Sequence, residues 1–196
     1  MADFVPVKAA GFLMEEELNA LDKALGNPVR PVCAIVAGSK VSTKLDLLNN
    51  LIEKVDKLVI GGAMANTFVF ANGGKVGKSL YEADLAGTAR DITAKAAKLG
   101  CEIILPVDVA LGEGLTEGQT KVVADISAVP EDKMILDIGP KSVEKIISTL
   151  ENCKTVIWNG PVGAFEFKPF DEGSNAIAAT IVKLTAEGKI TSVAGG

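Results

Sequence analysis

Lys40 and Lys44 stand four residues apart, just after the apolar run Val32 to Ala37 and a Gly38-Ser39 pair. At the start of a helix such a pair projects from one face of its first turns and opposes the helix dipole, at a cost on the order of a few tenths of a kcal/mol. An anionic ligand would reverse that sign. Two ammonium groups beside glycine-opened backbone could hold a polyphosphate and offset the negative charge that develops as a phosphoryl group transfers. Exposed helix lysines are common, so a plain solvated face remains an equally open reading of the pair alone. A second stretch, Trp158-Asn159-Gly160-Pro161-Val162-Gly163-Ala164-Phe165-Glu166, follows the apolar run Thr155-Val156-Ile157. Its glycines, proline and amide between aromatics mark a strand tip breaking into a rigid turn, where backbone can approach a ligand closely. An ordinary loop would look similar.

Composition removes several chemistries. The chain has no histidine, which excludes Ser-His and Cys-His nucleophile schemes and leaves Lys, Asp and Glu as candidate acid–base groups. Cys33, Cys101 and Cys153 are widely spaced, odd in number and without a CxxC pair, so they suggest a reduced, cytoplasmic protein rather than a disulfide framework or a zinc site. A net charge of −5 with no long basic run argues against a nucleic-acid surface. No basic-plus-apolar leader opens the chain, and no apolar run reaches the roughly 18 residues of a membrane span, so a soluble protein is expected. The run Gly38 to Lys44 lacks the GxxxxGK[ST] spacing, and no GxGxxG follows a strand, so any nucleotide site is built differently from the usual fingerprints.

The elements that must position these residues follow from apolar periodicity. Met14 to Leu25 carries helical spacing and is stopped by Gly26-Asn27-Pro28. Short apolar runs at 32–37, 57–60, 102–105, 133–138, 155–158 and 190–194 then alternate with helical stretches near 43–55, 64–71, 82–99, 141–150 and 174–186. Most runs are continuous rather than alternating, as strands covered on both faces should be. The spacing predicts a Rossmann-like three-layer α/β fold with a mostly parallel six-stranded sheet wrapped by helices, and 109–130 as a surface excursion. At 196 residues one domain is expected, with 1–26 as linker and leading helix. Turns at Gly38-Ser39-Lys40, Gly61-Gly62-Ala63, Pro106-Val107-Asp108, Gly139-Pro140-Lys141, Asn159-Gly160-Pro161 and Gly195-Gly196 fall at the carboxyl ends of these runs, the rim where open α/β sheets bind ligands.

Gly38-Ser39-Lys40-Val41-Ser42-Thr43-Lys44, Gly61-Gly62-Ala63-Met64-Ala65-Asn66-Thr67-Phe68, Gly77-Lys78-Ser79-Leu80, Leu105-Pro106-Val107-Asp108 and Leu136-Asp137-Ile138-Gly139-Pro140, with the Trp158 to Glu166 stretch, resemble phosphoglycerate kinase from about Gly11-Phe12-Leu13-Met14 to Gly196. The resemblance implies most of the second, nucleotide-binding domain of a two-domain glycolytic kinase. Such enzymes move a phosphoryl group reversibly between 1,3-bisphosphoglycerate and ADP with magnesium, and act as monomers when intact. It implies that Lys40 lies near the transferred phosphoryl group, Lys44 on the nucleotide phosphates, Asn159 at the phosphate side and Glu166 on the ribose hydroxyls. Gly62, Ala63, Leu80, Met134, Leu136, Pro161, Gly163 and Ala164 would wall the adenine pocket, Gly38 and Ser39 would admit the nucleotide, and Gly195 and Gly196 would open a further glycine run. Each has a bland alternative, since Leu80 and Leu136 could be core leucines and Glu166 a solvated carboxylate.

Three departures bear on the site: Thr43 stands where many family members have aspartate, Ala63 replaces a third glycine, and Ile135 replaces a glycine beside the adenine wall. The resemblance further implies that the domain binding 3-phosphoglycerate or 1,3-bisphosphoglycerate and the aspartate for the magnesium-nucleotide lie outside these residues. The chain therefore reads as a fragment expected to be inactive alone. A binding-only ADP/ATP module is the alternative, and a dinucleotide oxidoreductase is disfavoured by the missing GxGxxG.

Overall fold

The computed structural model of the chain describes residues 26–195, so the expected leading helix over Met14 to Leu25 and the candidate Gly196 lie outside the described residues. Strand β1 (Val32–Ala37) is followed by helix α1 (Leu45–Leu51), β2 (Lys57–Gly61), α2 (Gly62–Ala71), a 3-10 turn at Ala83–Leu85, α3 (Ala86–Leu99) and β3 (Glu102–Ile104). Then come β4 (Asp108–Gly112), β5 (Val122–Asp125), β6 (Met134–Ile138), α4 (Pro140–Glu151), β7 (Thr155–Asn159), α5 (Glu172–Ala186) and β8 (Thr191–Gly195).

The main sheet is parallel and five-stranded, in the order β3-β2-β1-β7-β8. At its centre β1 is buried along its whole length. Val32, Ala34 and Val36 pack on one side with Leu48, Ile52, Met64, Phe68 and Ile92, whereas Cys33, Ile35 and Ala37 pack on the other with Ile146, Leu150, Ile177 and Ile181. Period-2 alternation into two apolar layers is why the run reads as continuously hydrophobic. Helices α1 to α3 thus cover one face and α4 and α5 the other, giving the three-layer α/β arrangement. All three cysteines are free and buried. No described helix is long and apolar enough to cross a membrane.

Two expectations need correction. The run 133–138 forms a strand, but it does not join the main sheet. Instead β6 pairs antiparallel with β4, and β4 pairs antiparallel with β5, in a separate three-stranded sheet, so the parallel sheet has five strands and not six. The excursion accordingly runs from β4 to β6 rather than over 109–130 alone, and Asp108 opens a strand instead of ending a turn. The physical reason lies partly in Asp137, a carboxylate that the doubly apolar main sheet could not take but that finds backbone donors here.

The second correction concerns the lysines. The helix expected over 43–55 begins only at Leu45 and closes at Leu51. Residues 41–44 form a turn, closed by Lys44 N–H donating to the Val41 carbonyl at 2.9 Å and by Thr43 Oγ1 donating to the Lys40 carbonyl at 2.9 Å. Glu82 holds this turn by accepting from the Ser42 backbone at 3.0 Å and its hydroxyl at 2.5 Å. Lys40 and Lys44 therefore do not share a helix face.

Where β1 and β2 end, Gly62 takes φ +64° and its missing Cβ would stand 2.8 Å from the Gly38 carbonyl oxygen. Gly73 takes φ +84° with nothing nearby. Both positions cost an L-residue roughly 1–2 kcal/mol of left-handed strain, but only Gly62 adds a backbone clash. Urea unfolding should show Gly62→Ala losing at least about twice the stability lost by Gly73→Ala. Equal losses would contradict the close approach of the two turns.

Candidate functional site

The order of the main sheet reverses between β1 and β7, because β2 and β3 extend to one side and β8 to the other. A crevice outside the carboxyl ends at such a point is where open α/β sheets bind ligands. Lys44 spans it. Its ammonium donates to the Ala37 carbonyl at the tip of β1 at 2.7 Å and to Asn159 Oδ1 at the tip of β7 at 2.5 Å. An ammonium has three donors, so one remains for a ligand. Burial lowers the Lys44 pKa from its ordinary value, because a partly desolvated cation is less favourable than a solvated one.

Two glycines border this ammonium. A Cβ on Gly38 would lie 3.5 Å from Lys44 Nζ, and Gly160, at φ +87°, would place one 2.6 Å from the Ala37 oxygen. Trp158 Nε1–H donates to the Gly160 carbonyl at 2.6 Å and fixes that turn. Gly62 N–H donates to the Val162 carbonyl at 2.9 Å, while Met64 N–H donates to the Gly38 carbonyl at 2.8 Å. The turns after β1, β2 and β7 are thus one hydrogen-bonded unit.

Beside it opens a cavity of about 300 Å³. Gly38, Ser39, Gly62, Ala63, Leu80, Met134, Leu136, Pro161, Gly163, Ala164 and Glu166 all line it, so the structure gathers eleven of the sequence-derived candidates around one space. Asn159 lies against Lys44 rather than on the lining. Gly195 pairs with Asn159 at the end of β8. Lys40 is exposed and outside the lining; burial raises the pKa of the nearby Glu82 carboxyl, but hydrogen bonds from Ser42 and Val41, with a smaller contribution from the Lys40 charge, outweigh it and hold the group below its ordinary value. The lining is mostly apolar, which suits a flat ring, with Ser39, Asn66, Asp137 and Glu166 as its polar side chains.

Sequence reasoning missed part of both walls. Val109, Leu115 and Ile126 line the cavity from the small sheet and its loop, together with Asn66 and Val69 from α2. Ile135 also lines it, yet its side chain packs with Val109, Leu111 and Val129. The signal available in the sequence was the alternation of Val109 with Leu111, and of Val122, Ala124 and Ile126, within a segment read only as an excursion.

Two buried carboxylates tie the small sheet to the helices. Asp108 accepts from the N–H groups of Lys141 at 3.1 Å and Ser142 at 2.7 Å, in the first turn of α4. Asp137 accepts from Gly173 N–H, in the first turn of α5, and from Ile138 N–H, each at 2.8 Å. Each therefore satisfies helix N-terminal donors that have no partner within their own helix. For Asp137 burial outweighs these bonds, and its pKa is pushed up to about 6.

A family model described as phosphoglycerate kinase matches residues 1–196. The phosphoglycerate kinase of Rhodospirillum centenum is 54% identical over 188 residues, covering 96% of this chain and 48% of the relative. That of Rhizobium johnstonii is 56% identical over 187 residues, covering 95% and 47%. Among solved structures, phosphoglycerate kinase from Coxiella burnetii matches with a TM-score of 0.90 at 41% identity, covering 95% of this chain and 47% of that one. The Pyrococcus horikoshii enzyme matches with 0.76 at 26%, covering 95% and 52%. The chain spans about half the length of the curated relatives it matches.

The raised pKa of Asp137 makes its contribution to stability depend on pH. Between its ordinary value of 3.8 and about 6 the folded chain keeps a proton that the unfolded chain has released, so the stability Asp137 contributes at low pH is lost as pH rises through about 6. A carboxyl-carbon NMR titration should give Asp137 a midpoint near 6, and Asp137→Asn should flatten the stability profile across that window. A midpoint at or below about 4 would show that the helix donors, not desolvation, dominate.

Proposed function

The chain belongs to the phosphoglycerate kinase family, and we propose that it forms the nucleotide-binding half of a cytoplasmic kinase. That enzyme would transfer a phosphoryl group reversibly between 1,3-bisphosphoglycerate and ADP, giving 3-phosphoglycerate and ATP. The observation that carries the proposal is an apolar cavity lined by Gly38, which itself lies against the Lys44 ammonium bridging the tips of β1 and β7.

In this reading the purine enters between the α2 wall at Gly62 and Ala63 and the β6 wall at Met134 and Leu136. The ribose hydroxyls meet Glu166 at the cavity edge. The phosphates run over Gly38 and Ser39 toward Lys44, where Asn159 keeps the ammonium aimed across the crevice. Lys40, exposed beside that path, meets the phosphoryl group in flight. The terminal phosphorus exchanges its bond to the acyl oxygen for one to a β-phosphate oxygen, with negative charge spread over its equatorial oxygens. Fixed cations that meet this charge lower the barrier without reorganising. Magnesium would arrive with the nucleotide phosphates and neutralise part of their charge. Among the described residues no three His, Cys, Asp or Glu side chains gather into a metal-binding group, so no step is assigned to a protein-held ion.

Since the relatives are about twice as long, the acyl-phosphate substrate is proposed to bind the other half of the kinase, and closure of the two halves to align the reactants and exclude water. Calorimetry on the purified chain should detect Mg-ADP, with Lys44→Ala weakening it about tenfold or more. In a whole kinase containing this chain, Lys40→Ala should leave Mg-ADP affinity within about threefold while transfer falls by about a hundredfold or more. The chain alone should give no turnover when ATP consumption is coupled to 3-phosphoglycerate. Robust turnover would contradict the half-kinase reading, and no Mg-ADP binding would contradict the nucleotide site.

A further inference from the structure

Asn66 is a polar side chain in the apolar part of the cavity lining, and packing alone does not account for it. It stands on α2 about one turn beyond Gly62, is 2% exposed, and lines the cavity with Val69 and Leu80. Its Nδ2 donates to the Leu80 carbonyl at 3.0 Å. Among the described residues no donor reaches its Oδ1. No buried side-chain oxygen or nitrogen there is both sealed from solvent and unpaired, so this oxygen opens onto the space the residue lines. Rotating the amide would set Oδ1 against the Leu80 carbonyl, two acceptors face to face, so the orientation is fixed from within the protein.

We propose that Asn66 selects the base of the bound nucleotide, its Oδ1 accepting a hydrogen bond from the exocyclic 6-amino group of adenine. The inference rests on the nucleotide reading above and adds the group that would make the site an adenine site. An apolar slot alone cannot tell one purine from another, because stacking and burial are nearly indifferent to ring substituents. A fixed acceptor can. Adenine presents a donor at position 6; guanine and hypoxanthine present an oxygen there, which would face Oδ1 as acceptor to acceptor; and unsubstituted purine leaves Oδ1 without a partner. The other side-chain acceptors in the lining are less able to take this role, Ser39 being exposed. Both Asp137 oxygens are engaged by Gly173 and Ile138, and Glu166 is exposed at the rim.

The test compares ligands as well as variants. Dissociation constants are measured by calorimetry on the purified chain for Mg-ADP, for Mg-GDP, and for the magnesium salt of purine riboside 5′-diphosphate, in which hydrogen replaces the amino group. The unaltered chain is expected to prefer Mg-ADP to the unsubstituted analogue by about tenfold, and to Mg-GDP by more. Asn66→Leu, similar in volume, should bind Mg-ADP and the unsubstituted analogue within about twofold of each other, while its affinity for the analogue stays near that of the unaltered chain and so reports an intact cavity. If that variant does not fold, Asn66→Ala carries the same comparison. Equal affinity of the unaltered chain for the two ligands, or an unchanged ratio in the variant, overturns the role of Asn66 and leaves the nucleotide site standing. Failure of the unaltered chain to bind any of the three overturns both.

Discussion

The architecture depends on β1, a strand buried on both faces and hydrogen-bonded on both edges. Such a strand can only lie at the middle of a sheet, and the chain then builds outward from it in two directions, β2 and β3 to one side and β7 and β8 to the other. The crevice at that reversal opens at the centre of the rim, with Lys44 crossing it from Ala37 to Asn159. The ammonium is held by Asn159, 115 residues further along the sequence, as well as by nearby Ala37, so its position reports the closure of the sheet itself. The site's electrostatics and the fold's topology are set by the same contacts.

The small sheet supplies what the main sheet lacks. Parallel strands covered by helices have no free face from which to wall a ligand pocket, so β4 and β6, with Leu115 and Ile126 from the connections between them, form the far side of the cavity from outside that layer. Asp108 and Asp137 attach them, each carboxylate accepting N–H groups at the start of a helix on the other side of the join. These bonds fix α4 and α5 against the small sheet without a capping side chain from either helix's own N-cap residue. At Asp137 the attachment is made against desolvation, which is the larger effect on its protonation. A buried carboxyl retained in a cavity lining is a case in which stability and site shape are decided by one group.

The sequence made the central layer readable because its runs are short, apolar and continuous, and five of the six do pair as one parallel sheet. Turn glycines were legible for a similar reason: Gly38, Gly62 and Gly160 occupy positions where a Cβ would meet Lys44 or backbone. The sixth run was misassigned to the main sheet because periodicity reports burial, not pairing partners. Asp137 inside it was the available warning. The lysine spacing misled for another reason. A four-residue interval implies a shared helix face only within a helix, and Ser42 bonded to Glu82, forty residues on, holds a turn there instead. Distant partners of this kind, like the Asp108 bond to α4, leave no local trace. Asn66 was likewise quoted within a motif without a role, because its significance depends on Leu80 orienting its amide.

One rim of the main sheet and the facing small sheet are proposed to form a single nucleotide cleft. Titration of the isotope-labelled chain with Mg-ADP, followed by amide proton–nitrogen NMR, tests it most directly. A shared cleft gives saturable shifts concentrated at Gly38, Ser39, Gly62, Ala63, Leu136 and Ala164, on both walls at once. Shifts gathered instead at the amino ends of the strands, around Asp56, Gly100 and Lys154, or an unchanged spectrum at saturating nucleotide, would contradict it.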